Sequence, residues 1–217
     1  SYPDSSQRRL RSVLAALHGI HADFCLVGNG AAELLTWAGR DAAALGASLI
    51  PAPGFSDYAR ALRCWDGPYA SHGLPLVWSG LWPGDLPPPP SADVLWVCNP
   101  NNPSGQLWSR ESLAPLLRSF PLVICDEAFL PLVPDGERQS LIPLVAQNPN
   151  LVVIRSLTKL YGIAGVRLGY AVAHPDRLAR WAAWRDPWPV NGFALHLGER
   201  LLHSPDRYRD WCRRVQR

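Results

Sequence analysis

The sequence predicts an α/β protein, three layers deep, with a mostly parallel sheet between helices. Three observations point there. About seven short apolar runs, LVVI at 151–154 among them, alternate with stretches whose apolar residues recur at helical spacing. The residues with chemical potential stand just after those runs, and open α/β sheets bind ligands at the carboxyl ends of their strands. At 217 residues the chain can bury one sizeable core.

Each element follows in order. After Tyr2-Pro3-Asp4, residues 5–18 place Leu10, Val13, Leu14 and Leu17 on one helical face, and Gly19 stops the helix. FCLVGNGAAELLTWA reads as strand, glycine turn and helix. The turn Gly28-Asn29-Gly30 matches neither the dinucleotide fingerprint nor a P-loop. What remains is a helix N-terminus with unpaired backbone amides, where a phosphate is favoured. ASLIPAPGFSDYARAL repeats the theme, with the aromatic Phe55 just past the turn and Tyr58 one helical turn later. LPLVWS at 74–79 reads as a strand and WPGDLPPPP at 82–90 as a stiff surface loop.

DVLWVCNPNNPSG then runs from a buried strand into an irregular loop holding Asn102. PLVICDEAF is the clearest strand end, because its apolar residues give way abruptly to Asp126 and Glu127. SLTKLYGIAGVRLGY follows the next strand, and LGYAVA, inside its end, begins another. DRLARWAAWRDPW and WPVNGFALHLGERLL close the reading as helices, with Trp181, Trp184 and Trp188 assigned to core or dimer packing. No internal repeat is present.

Lys159 is the only lysine among 21 basic residues. A primary amine forms a Schiff base with a carbonyl cofactor, and a guanidinium cannot. Ser156 and Thr158 precede it, and Arg167 stands eight residues on in a glycine-rich segment. An amine, two hydroxyls and a guanidinium thus converge on something anionic that also carries a carbonyl. Pyridoxal phosphate fits that description.

S-x-T-K followed by Arg in G-x-R-x-G, together with NNPSG at 101–105 and CDEAF at 125–129, resembles the signature of the class I/II aminotransferases. The resemblance runs over nearly the whole chain. It implies the large domain of a fold-type-I pyridoxal-phosphate enzyme over residues 1–203, with 204–217 opening a small domain. The N-terminal arm and most of the C-terminal small domain, including the arginine that binds a substrate carboxylate, would lie outside the chain. Lys159 would carry the cofactor, and Asp126 would keep its pyridine nitrogen protonated. Asn102 would bond the phenolic oxygen, Phe55 would stack, and Gly30, Ala31, Ala32, Ser156, Thr158 and Arg167 would hold the phosphate. Tyr2 would reach the cofactor of the other subunit of a homodimer, and Asn102 and Asn191 would face the substrate.

Phe129 departs from the family's common tyrosine, which removes one hydrogen bond to the phenolic oxygen. Two subfamilies compete, those of threonine-phosphate decarboxylase in cobalamin synthesis and of histidinol-phosphate aminotransferase. The DEAF variant, SLTKLYGIAGVRLGY and PWPVN look more like the decarboxylase. Either way the substrate is expected to be a phosphorylated amino compound. A non-catalytic sensor that binds pyridoxal phosphate is the reading from another class.

Composition bounds the partners. A net charge of +3 from scattered arginines gives no nucleic-acid footprint, and DRYRDWCRRVQR reads as a solvated helix face. Five cysteines without C-x-x-C spacing suggest reduced, buried thiols in the cytoplasm and no metal site. No apolar stretch reaches the roughly 20 residues that span a bilayer.

Overall fold

A computed structural model describes residues 2–74 and 92–216. The chain opens with α1 (Arg8–His18), β1 (Cys25–Asn29), α2 (Ala31–Leu45), β2 (Ser48–Ala52), α3 (Asp57–Arg63) and β3 (Tyr69–Gly73). Next come β4 (Val94–Cys98), α4 (Arg110–Leu113), β5 (Leu122–Asp126), β6 (Leu151–Ser156), α5 (Leu157–Leu160) and β7 (Leu168–Ala173). Three helices finish it, α6 (Pro175–Trp184), α7 (Gly192–Leu202) and α8 (Pro205–Val215).

The strands form one sheet in the order β1-β7-β6-β5-β4-β2-β3. The run from β3 to β6 is parallel, and β7 lies antiparallel between β6 and β1. Being antiparallel to β7, β1 points the same way as the parallel set. The ends of β1, β2, β4, β5 and β6 and the start of β7 therefore share one sheet edge.

Alternation along each strand fills two cores. On one face Val97, Val123, Cys125, Val153 and Tyr170 pack with Leu10 and Leu14 of α1, Ala194 and Leu202 of α7, and Tyr208 of α8. On the other, Trp96, Ile124, Val152, Ile154 and Ala171 pack with Leu34 and Ala38 of α2, Leu62 of α3, and Leu178 and Trp181 of α6. Each such aliphatic side chain contributes roughly 1.5–3 kcal/mol by leaving water. The sheet is thus covered on both sides, as the α/β/α expectation requires.

Several elements differ from their sequence reading. Only Leu74 of the strand expected at 74–79 is described; the rest of that run and the proline-rich loop lie outside the described residues. Among the described residues the outermost strand is β3, not assigned from sequence, where YASHG is mostly exposed and lacks an apolar face. The first helix begins at Arg8, because Asp4 accepts from the amides of Ser6 and Arg8 and Gln7 takes a left-handed φ of 48°. The helix read over WPVNGFALHLGERLL starts only at Gly192, as α7, and the separately read terminal stretch is α8. Asn191 starts α7 by accepting from the Ala194 amide, and Ser204-Pro205 interrupts the chain before α8, with the Ser204 hydroxyl accepting from Arg207. Nor is α8 solvated all round, since Tyr208 and Cys212 are buried. Of the thiols, Cys64 is exposed and the other four are buried, all of them free. Among the described residues no helix is long and apolar enough to cross a membrane.

Candidate active site

At the shared edge, three neighbouring strand ends supply the chemistry. Asp126 is the last residue of β5, and only 5% of it is exposed. Its carboxylate accepts from the Ala128 amide and from the Tyr58 hydroxyl, each at 2.9 Å. Among the described residues it makes no ion pair. Burial accordingly pushes its carboxyl above the ordinary range, against those two donors. Burial also raises the Tyr58 hydroxyl well above its usual range, so Tyr58 stays a donor.

One strand over, β6 ends at Ser156, whose hydroxyl lies 2.7 Å from that of Thr158. The single turn α5 then presents Lys159, with its Nζ 5.6 Å from the centroid of the Phe129 ring. Exposure of this amine beside an aromatic face leaves it reachable from the cleft.

The third part is an anion cradle. Arg167 adopts a left-handed backbone (φ 61°) at the start of β7 and donates to the Ala164 carbonyl at 2.9 Å. A Cβ at Gly30 would sit 2.6 Å from an Arg167 guanidinium nitrogen. A Cβ at Gly169 would stand 2.6 Å from the Ala31 amide. Bare glycines at both places let guanidinium and strand close on the N-terminus of α2, a 15-residue helix whose dipole favours negative charge. The Gly30 amide itself donates to the Gly28 carbonyl at 2.8 Å. Gly30 therefore shapes the cradle, and Ala31 and Ala32 line the cleft beside it.

Ala31, Ala32, Phe55, Asn102, Asp126, Ser156, Thr158, Lys159 and Arg167 all line one cleft of about 140 Å³. Besides Gly30, two expected residues lie outside it. Tyr2 is 80% exposed, with its ring 4.7 Å from that of Trp188. Asn191 caps α7 and donates to the Val166 carbonyl at 3.2 Å, so it steadies the loop before Arg167.

Sequence reasoning missed the supports. Asn99 bonds the backbone of Trp108 in both directions, at 2.9 and 2.8 Å, and Asn101 donates to the Pro53 carbonyl at 3.0 Å. The first closes the loop that holds Asn102, and the second pins it to the Phe55 loop. The density of asparagine in NPNNPSG was the signal available for this.

A bare amine, a buried acid without a cation and an anion cradle, at one edge of an α/β/α sheet, define the Schiff-base class of phosphate-bearing carbonyl cofactors. The chain belongs to the aminotransferases of class I and II, whose family model matches residues 1–216. Pyridoxal phosphate is that family's cofactor. Threonine-phosphate decarboxylase of Salmonella typhimurium is 35% identical over 218 residues, 94% of this chain and 57% of that one. Histidinol-phosphate aminotransferase of Symbiobacterium thermophilum is 34% identical over 207 residues, 91% of this chain and 55% of that one. The L-threonine-O-3-phosphate decarboxylase structure from Porphyromonas gingivalis superposes with a TM-score of 0.82 at 27% identity, covering 96% of this chain and 65% of that one. The chain thus spans little more than half the length of these curated relatives.

Proposed function

We propose that this chain forms the cofactor-binding part of a pyridoxal-phosphate enzyme acting on L-threonine O-3-phosphate, which it decarboxylates in cobalamin synthesis. Residues 1–203 would be the large domain and 204–217 the approach to a small one, in a cytoplasmic homodimer to which Tyr2 contributes across the interface. The observation that carries the reading is the pairing of Asp126, buried without a cation, with Lys159 in one cleft.

The residues divide the work. Arg167, the α2 amides of Ala31 and Ala32, Ser156 and Thr158 anchor a phosphate. Asp126 holds a proton on a ring nitrogen, and that ion pair supplies the cation its carboxylate lacks. Bound pyridoxal phosphate, so protonated, supplies an electron sink for a bond broken at the substrate Cα. Phe55 stacks on the ring and Asn102 bonds its phenolic oxygen. Lys159 would tether the cofactor through its Nζ, and its amine, when free, would carry a proton to or from the substrate Cα. Phe129 cannot donate a hydrogen bond, and this feature favours the decarboxylase reading. Histidinol-phosphate transamination is the second reading, supported by the 34% identical relative.

Borohydride treatment of the yellow full-length protein is expected to fix the cofactor's mass on the peptide containing Lys159, and a Lys159→Ala variant to take up none. With threonine phosphate, carbon dioxide is expected without any keto acid. Turnover that requires 2-oxoglutarate and yields glutamate would replace this reading with transamination. Cofactor uptake without turnover on either substrate would replace it with a sensor.

A further inference from the structure

Lys159 stands on α5, a helix of only four residues. One isolated turn has no stability of its own, so its placement depends on whatever holds its end. The turn satisfies part of its own backbone, since the amides of Tyr161, Gly162 and Ile163 donate to the carbonyls of Leu157, Lys159 and Thr158. The next carbonyl, that of Leu160, is taken from outside. Trp211 of α8 donates its indole N–H to it at 2.8 Å. The Trp211 ring also packs on Tyr161 with centroids 5.4 Å apart, and the Tyr161 hydroxyl donates to Leu201 at the end of α7 at 3.4 Å.

The other contacts of α8 reach the segment that follows the cleft residues Asp126 and Phe129. Gln216 donates its amide to the Pro131 and Val133 carbonyls at 3.0 and 2.9 Å, just beyond Phe129. Tyr208 donates to Glu137 at 2.8 Å, in the same connection between β5 and β6. One helix thus grips both the turn that bears Lys159 and the segment that follows Asp126 and Phe129.

We infer that α8 is a brace that fixes Lys159 relative to Asp126 and Phe129, with Trp211 as the positioning residue. This rests on the functional reading above, because it assigns the brace to that site.

Hydrogen exchange on the cofactor-free full-length protein tests it. Trp211→Phe keeps the ring and deletes the donor. The amides of Tyr161 to Ile163 are expected to exchange about three- to tenfold faster, with Val123 to Cys125 of β5 unchanged. Trp211→His, which retains a ring N–H, is expected to recover part of the protection. In the loaded protein, the pH at which the Lys159-bound chromophore changes absorbance is expected to move by roughly half a unit in Trp211→Phe. Wild-type exchange around Tyr161 in Trp211→Phe overturns the brace. If that variant fails to fold, Gln216→Ala decides: faster exchange confined to Leu132 and Val133 supports the brace, and no change there overturns it. Exchange needs no cofactor, so a failure to trap pyridoxal phosphate on Lys159 would sink the functional reading alone.

Discussion

Asp126 and Glu127 are neighbours in sequence, both carboxylates and both buried, yet they have opposite surroundings. Their side chains leave the strand end on opposite sides. Glu127 faces a closed network. Its carboxylate accepts from the Leu141 amide at 2.7 Å, the Ser140 hydroxyl at 2.8 Å and the Arg155 Nε at 2.9 Å. Arg155, itself 1% exposed, also grips Glu137 through two further nitrogens. Asp126 faces the cleft with one amide, one phenol and no cation. Burial pushes both carboxyls up, but at Glu127 a guanidinium opposes it. Under the proposed function, a fold that stabilises one buried carboxylate with three donors and, among the described residues, leaves its neighbour without a cation keeps the second for a ligand. The contrast separates a structural acid from a binding acid on geometry alone.

Neutralising each acid in turn should break that comparison most sharply. Asp126→Asn is expected to lower turnover roughly a hundred- to a thousandfold, the range for losing a charged group poised at a reacting centre. Its cofactor-free fold should be no less stable than wild type. The sign follows from the raised pKa. An acid whose folded pKa lies above its unfolded value favours the fold while protonated and loses that contribution as pH rises from 3.8 upward. Removing the charge at neutral pH therefore relieves the fold. Burial raises the Glu127 carboxyl as well, so there the partner decides: Glu127→Gln leaves the buried Arg155 undercompensated and should destabilise by about 3 kcal/mol. Urea unfolding of both cofactor-free variants, beside steady-state rates, measures the crossing; destabilisation of equal size in both would erase the distinction.

Much of the binding side was legible in sequence, and little of the structural side. Asp126, Ser156 and Lys159 follow apolar runs that stop abruptly, and such strand ends mark the ligand edge of a parallel sheet. Arg167 was legible through its glycines, which the cradle requires at Gly30 and Gly169 for close approach. Arg155 gave no such signal, since a charge inside the run LVVIRS reads as the end of a strand, not as part of its core. Its partners Glu127, Glu137 and Ser140 are 28, 18 and 15 residues away, joined only by tertiary packing. The edge strand β3 escaped for the opposite reason, as it buries too little to leave an apolar pattern. Tyr58 could be placed behind Phe55 from spacing, but its bond to Asp126 spans 68 residues.

A smaller effect belongs to Glu137. Arg155 holds its carboxyl down at about 2, prevailing over the upward push of burial, which is the larger single influence. A lowered acid stabilises the fold above its unfolded pKa, so this contribution is lost as pH falls from 4.5 toward 2. Glu137→Gln is expected to be less stable than wild type at neutral pH and to show a flatter loss of stability across that window. Unfolding midpoints measured at steps of pH check it. A parallel profile in both proteins would move the acid sensitivity of this face onto another group.

The smallest and most pointed change is Tyr58→Phe, which removes a hydroxyl and leaves the ring to pack against Trp96, 5.4 Å away between centroids. A buried hydrogen bond contributes about 1 kcal/mol, so turnover should fall only about fivefold. The direction at Asp126 is the sharper reading. Tyr58 and the Ala128 amide are the two donors that favour the ionised carboxylate, and loss of one must raise its pKa further. Infrared titration of the cofactor-free protein should find the protonated Asp126 band persisting to higher pH in Tyr58→Phe than in wild type. Loading with pyridoxal phosphate should abolish the band in both, because a protonated ring nitrogen then supplies the positive charge that Glu127 obtains from Arg155. If the band survives loading, Asp126 has no cation opposite it, and the two neighbouring acids do not divide as their surroundings imply.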